Sequence, residues 1–398
     1  VWALCSMTGM VAAVISAELG ARALALRPVR RATRMALWLA MLSGALGMIL
    51  CLGFEQFALL TGQEPALAAL GQSYMLILVW SVIPFIVNNV LRSFVSALDR
   101  PIFATAITAL GIGVNAAGNY AFIFGNWGAP ALGLPGAAVA TLFTSLFTML
   151  AYVVAIRLDR TLHRYHIFGR WWVPDWPVFW QIARKGTPIA LMVSAEAGVF
   201  SAAAFLMGNI GAAQLAAHTI ALQIAALAFQ VPFGVGQAST IRVGYFYGAR
   251  DSDGMARAGW AGIGIALLFM SVTSSAMVLV PDYLLAIYID PWAAANVAMV
   301  AFATRYLLVA AAFQLVDGVQ AVAGGALRGL QDTRMPMWIA VFSYWVPGFG
   351  TAVVLGFATP LAGVGVWLGL ATGLAFAAVL LTWRWVRREA LGLTRAPA

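Results

Sequence analysis

The chain has 398 residues, of which 63% are hydrophobic and only 9% charged. Soluble domains carry about 25% charged residues, so this composition excludes an ordinary water-soluble globule. The net charge is +9, and Lys185 is the only lysine beside the arginines. These bases fall between long apolar runs, which makes them topology signals rather than a nucleic-acid surface.

A membrane helix needs about 20 mostly apolar residues. Eleven such runs follow one another: 1–21, 35–60, 66–97, 101–124, 133–156, 186–209, 214–245, 258–289, 294–327, 336–358 and 361–383. They are too long and too evenly apolar for barrel strands, and they predict an all-α polytopic membrane protein. The first run has neither a starting Met nor a basic leader and reads as the end of a helix already under way. Cys5 and Cys51 both lie in apolar runs and form no disulfide framework or metal spacing.

Alternate loops carry the bases. Arg22, Arg27, Arg30 and Arg31 follow the first run, Arg100 the third, and Arg157, Arg160, Arg164, Arg170, Arg184 and Lys185 the fifth. Arg250 and Arg257, then Arg328 and Arg334, continue the series, and Arg384, Arg387, Arg388 and Arg395 end it. The intervening loops hold Glu55, Glu64, Asp282 and Asp290 instead, with Arg305 alone near an outer end. The positive-inside rule places the basic loops in the cytoplasm.

The two halves repeat. LGAR at 19–22 matches YGAR at 247–250, Tyr74 matches Tyr306, Leu98 matches Leu330, and Gly136 matches Gly363, in the same order and at nearly constant offset. The repeat predicts an N-terminal bundle over 1–160, a cytoplasmic linker over 161–183 and a C-terminal bundle over 184–398. An even number of helices per repeat puts the pseudo-twofold axis along the membrane normal. A whole helix and most of another precede YGAR, whereas 18 residues precede LGAR. The comparison therefore predicts an intact six-plus-six architecture, with about sixty further codons before Val1. His163 and His166, three apart in the linker, have a spacing open to a metal, but a basic aromatic segment at the headgroups is the reading preferred.

Ionisable groups inside membrane helices are costly and point to function. Glu18, close to Arg22, reads as solvated or arginine-paired. Glu196 lies 11 residues beyond Lys185, and Asp317 lies 11 residues before Arg328. At 1.5 Å per residue each is about 16 Å from the cytoplasmic face, near the bilayer midplane. Neither run has a basic residue near its acid. Two buried carboxylates in each other's field take a proton or hold Na⁺ readily; the alternative is a structural, hydrogen-bonded role at a helix contact. Asn115 and Asn119 are one turn apart and share a face, whereas Asn88 and Asn89 form a second pair. Asparagines of this kind line cavities or join helices. His218 lies near the outer end of its run, with a packing or a functional role open to it. Pro84 and Pro232 mark helix bends. The P-loop, G-x-S-x-G and H-E-x-x-H motifs do not occur, so an ion gradient rather than ATP or an enzymatic reaction is the expected energy source.

LAAHTIALQIAALAFQVPFGVGQASTIRVGYFYGARD, FQLVDGVQAVAGGALRGLQDTRMP, and LRSFVSALDRP with NYAFIFGNWGAPALGLPGAAVAT resemble the multidrug and toxic compound extrusion (MATE) family, NorM-type bacterial branch. The resemblance spans essentially the whole chain. It implies two six-helix bundles, a V-shaped cavity, and export of cationic and aromatic drugs in exchange for Na⁺ or H⁺. It puts Glu196 and Asp317 at the positions of the coupling acids, and Asn115 and Asn119 at the substrate cavity of the other bundle. The partners implied are small amphipathic cations and the lipid bilayer, with no nucleic acid, no cofactor beyond the coupling ion, and a monomeric protein. Two departures stand out. The family's first helix is missing, and Phe313 occupies the place of a cation-site tyrosine, which favours H⁺ over Na⁺. The rival readings are a lipid-linked precursor or polysaccharide flippase of the same superfamily, whose cavities are usually cationic, and an inactive truncated scaffold.

Overall fold

The structure is a computed structural model and describes residues 1–22, 25–60, 65–169 and 171–394, the side chain at 67 excepted. Glu64, Arg170 and Arg395 lie outside the described residues. Every regular element among the described residues is helical. Among the described residues eleven helices are long and apolar enough to cross a membrane. They are α1 (Trp2–Ala21), α2 (Leu26–Leu52), α3 (Ala68–Ala97), α4 (Pro101–Phe124), α5 (Leu134–Leu158), α6 (Trp176–Ile210), α7 (Ala212–Ala249), α8 (Ser252–Leu279), α9 (Ala294–Gly329), α10 (Arg334–Phe357) and α11 (Gly363–Val386). In hydrocarbon every backbone N–H and C=O must be satisfied internally, and a helix does this within one segment.

The number of apolar runs matches, but four boundaries differ. α2 starts at Leu26 and α6 at Trp176, each well before the apolar run expected at 35 and 186. Arginine is a good helix former, and its long stem reaches the interface from inside a helix. A helix therefore does not have to begin where the apolar run begins. The ends of the expected runs 35–60 and 258–289 split off as short helices, Phe54–Leu60 after Gly53 and Pro281–Leu285. Pro281 supplies no N–H and suits the first position of a new helix. At the start of α8, the Asp251 carboxylate accepts from the Gly254 N–H at 2.9 Å, capping an orphan donor.

The chain forms two compact units, Val1–Ala190 and Leu191–Ala398. The first has a core of Met10, Ile15, Met35, Ile86, Leu91 and Phe94. The 161–183 stretch packs onto this unit rather than hanging free, with Leu162, Ile167 and Ile182 in the same core. The Arg34 Nε donates to the Ile167 carbonyl at 3.3 Å, and the Trp38 Nε1 donates to that of Trp171 at 3.2 Å. Arg31 pairs with Asp175. The exposed rings of His163 and His166 stack edge to face at 4.9 Å, and no group of three metal-ligating side chains occurs among the described residues.

In the second unit small residues let α7 and α9 come close. The Thr240 hydroxyl of α7 hydrogen-bonds to the carbonyls of Gly236, at 2.9 Å, and of Gly325 in α9, at 2.8 Å. A Cβ on Gly325 would overlap the Gly236 carbonyl oxygen, and one on Gly329 would meet the Thr240 carbonyl oxygen at 2.9 Å. α10 carries a π-helical turn over Tyr344–Gly348 that contains Pro347. A π-turn adds one residue to the helical turn and shifts the register of the side chains around it.

Gly325→Val should lower the melting temperature and folded yield, with overpacking costing about 1–3 kcal/mol. Gly264→Ala, where an added Cβ meets nothing within 4 Å, should leave both unchanged; thermal-shift assays in detergent read this. The Arg31 guanidinium beside Asp175 holds the Asp175 carboxyl below the usual carboxylate range. That contribution to stability is present above the unfolded carboxylate pKa and is lost as the pH falls through the lower folded value. Because the Arg31 side chain is 56% exposed, Asp175→Asn should cost no more than about 1 kcal/mol near neutral pH. It should cost nothing in strong acid, measured as melting temperature against pH.

Candidate functional site

The second unit brings the two membrane acids together. Glu196 comes from α6 and Asp317 from α9, and Gln320 follows Asp317 by three residues on the same helix face. The Gln320 Nε2 donates to Asp317 Oδ1 at 3.1 Å and reaches Glu196 Oε1 at 3.5 Å. The Gln320 Oε1 accepts from the Tyr344 hydroxyl of α10 at 3.0 Å. Asp317 is 7% exposed, Gln320 and Tyr344 are buried, and Glu196 is half-buried. One amide therefore serves both carboxylates, and a tyrosine from a third helix fixes which way it points. An ionised carboxylate only accepts, so the amide must turn its NH₂ toward the acids.

The surroundings hold this arrangement in place. Trp345, the next residue of the π-turn, donates its Nε1 to the Ala195 carbonyl at 3.2 Å, one residue from Glu196. Gln314, one turn outward from Asp317, donates to the Ala225 carbonyl at 3.3 Å and accepts from Thr273 at 2.9 Å. Arg328, half-buried further along α9, interacts electrostatically with Glu196.

Phe313 does not face the acids with its ring. It stacks on Trp367 at 5.5 Å between centroids, in a column with Tyr306 and Phe302. His218 packs edge-on to Trp367 at 5.5 Å and is 1% exposed. The hydroxyl at the acid cluster belongs to Tyr344 instead. Gln320 was legible as a neighbour of Asp317 at helical spacing. No comparable signal in the sequence ties Tyr344 to the acids, since its register depends on the π-turn.

In the first unit Asn115 and Asn119 meet as their spacing requires. The Asn119 Nδ2 donates to Asn115 Oδ1 at 3.0 Å, and Asn115 Nδ2 donates to the Thr144 hydroxyl of α5 at 3.3 Å. Asn88 of α3 joins the same side of α5, donating to the Thr148 hydroxyl at 2.7 Å and the Ser145 carbonyl at 2.9 Å. Asn89 turns away and donates to the Cys5 carbonyl of α1 at 2.7 Å. Two buried oxygens, Asn88 Oδ1 and Asn119 Oδ1, accept no hydrogen bond from the described residues. The open capacity of this seam is thus for a donor. Glu18 lies in the electrostatic field of Arg31 of α2.

Comparison with known proteins places these features in a family. The MatE family model matches residues 1–121 and 188–354. A probable multidrug resistance protein NorM of Mesorhizobium japonicum is 44% identical over 378 residues, covering 95% of this chain and 81% of that one. Its counterpart in Brucella suis is 40% identical over 385 residues, covering 96% and 82%. Among solved structures, an outward-facing multidrug resistance MATE family transporter of the MOP superfamily matches with a TM-score of 0.86 at 22% identity, covering 99% of this chain and 86% of that one. A eukaryotic MATE transporter matches with a TM-score of 0.83 at 16% identity, covering 98% and 86%. At these identities the structural likeness speaks for the fold, and the relatives carry the kinship. This multi-pass membrane protein belongs to the MatE family, the multidrug and toxic compound extrusion transporters, in its NorM-type branch.

Proposed function

We propose that the protein is a secondary antiporter that exports amphipathic organic cations across the bacterial plasma membrane in exchange for H⁺, with Glu196 and Asp317 as the coupling acids. The observation that carries this reading is the single Gln320 amide shared by both carboxylates. It makes the two acids one site, so loading one changes the hydrogen bonding of the other. The relatives of known name are multidrug resistance proteins, which supports drugs as the cargo.

The donor set favours H⁺ over Na⁺. Tyr344 occupies the Gln320 oxygen, so the amide shows the acids N–H groups and adds no oxygen ligand. Phe313 adds none either. A proton needs only one carboxylate oxygen. One charge crossing 100 mV yields about 2.3 kcal/mol, enough to bias a two-state access cycle. In this reading residues 184–398 form the ion-coupled bundle, 1–160 the other bundle and 161–183 the cytoplasmic connection, and the protein works as a monomer without a cofactor. Asn88 and Asn119 offer a substrate's N–H donors the open oxygens of the first unit, and Asn115 orients Asn119.

Glu196→Gln and Asp317→Asn should each abolish pH-driven ethidium efflux from proteoliposomes while the protein still expresses and inserts. Full activity in both variants would reject the assignment. Asn119→Ala should raise the KM for ethidium about tenfold, the effect of losing one hydrogen bond to a charged group. An unchanged KM would remove Asn119 from the substrate site.

A further inference from the structure

We propose that Gln320 and Tyr344 form a hydrogen-bond switch that passes the ionisation state of Glu196 and Asp317 to the π-turn of α10. The inference rests on the coupling role given above to the two acids and adds the output of that site. Gln320 and Tyr344 act here as positioning residues.

The argument follows from donor and acceptor inventory. With both acids ionised, every group in the chain has one consistent assignment. The carboxylates accept, the Gln320 Nε2 donates to them, and the Gln320 Oε1 accepts from the Tyr344 hydroxyl. When a proton from the aqueous phase binds one carboxylate oxygen, the product is a carboxylic acid with a new O–H donor. Where that O–H points at Gln320, the amide meets it by turning its oxygen inward and its NH₂ outward. The Tyr344 hydroxyl then meets a donor instead of an acceptor, and its own proton loses its partner. A buried donor without a partner costs about 1–3 kcal/mol, so Tyr344 must find another seat. Loss of the proton on the far side reverses each step and leaves the protein unchanged.

The helix that receives this signal is built to move. Tyr344 opens the π-turn Tyr344–Gly348, and Pro347 inside it brings no backbone N–H. π-Turns occur often at functional sites. A small apolar cavity adjoins Tyr344, lined also by Val199, Phe200, Gly348 and Leu370. Val199 and Phe200 lie on α6 within about one turn of Glu196. Trp345, held to the Ala195 carbonyl, ties the same turn to the acid-bearing helix. A change of seating at Tyr344 therefore acts on α6 and α10 together. Among the described residues, the titratable and charged groups that act on this cluster are Glu196 on α6, Asp317 and Arg328 on α9, and Tyr344 on α10.

The test separates coupling from stability. Tyr344→Phe keeps the ring and removes the donor; Gln320→Met keeps the length and removes the amide. Both are reconstituted beside the wild type, Glu196→Gln and Asp317→Asn. Ethidium flux is measured under an imposed pH gradient and as gradient-free exchange. In the two switch variants the ratio of gradient-driven flux to exchange should fall about tenfold, the weight of one net hydrogen bond. A ratio equal to wild type overturns the switch. So does an equal loss of both fluxes, which marks a merely structural role. If the acid variants transport at full rate, the coupling assignment fails first. If they are inactive while Tyr344→Phe stays fully coupled, only the switch falls.

Discussion

The Thr240 hydroxyl, shared between the carbonyls of Gly236 and Gly325, marks the line along which α7 and α9 run nearly backbone to backbone. Much else in the second unit depends on that closeness. Helices in a bilayer gain no hydrophobic free energy from meeting one another, so association relies on packing and hydrogen bonds. Glycines at 236, 325 and 329 remove the side chains that would hold the helices apart. Their contact encloses α9 and places Asp317 and Gln320 inside the unit instead of against lipid.

Once α9 is enclosed, its polar groups must find partners within the protein, because an unsatisfied group in hydrocarbon costs several kcal/mol. The solution is economical in residues. One amide answers two carboxylates, one tyrosine orients the amide, and one tryptophan ties the same turn of α10 to the helix that bears Glu196. A network of this kind has little slack. A change in proton count at one acid alters the needs of each member in turn, which is the property a coupling site requires.

The first unit is built differently. Its polar seam over α3, α4 and α5 has no carboxylate, only asparagines and hydroxyls, and its unfilled positions are carbonyl oxygens. The two units thus share a helical plan but carry unlike polar groups, carboxylates with an amide in one and asparagines with hydroxyls in the other. The basic connection between them is fastened to α2 by Arg31, Arg34 and Trp38.

The sequence determined what depends on local spacing and on the solvent. Runs of about 20 apolar residues predict bilayer helices, and eleven helices of that kind are present. Spacings of three and four residues put Asn115 beside Asn119, and Asp317 beside Gln320, because the helical repeat alone brings them onto one face. The depth estimate from Lys185 and Arg328 placed Glu196 and Asp317 at one level, and they do share Gln320. Helix starts were not legible from the apolar runs, since arginines extend α2 and α6 beyond them. The placement of the Tyr344 hydroxyl and the retreat of Phe313 into the Trp367 column were decided by tertiary structure. Each depends on how one helix is rotated against another, and that rotation is set by glycine contacts and a one-residue π-turn. Hydrophobic periodicity within a single helix carries no record of either.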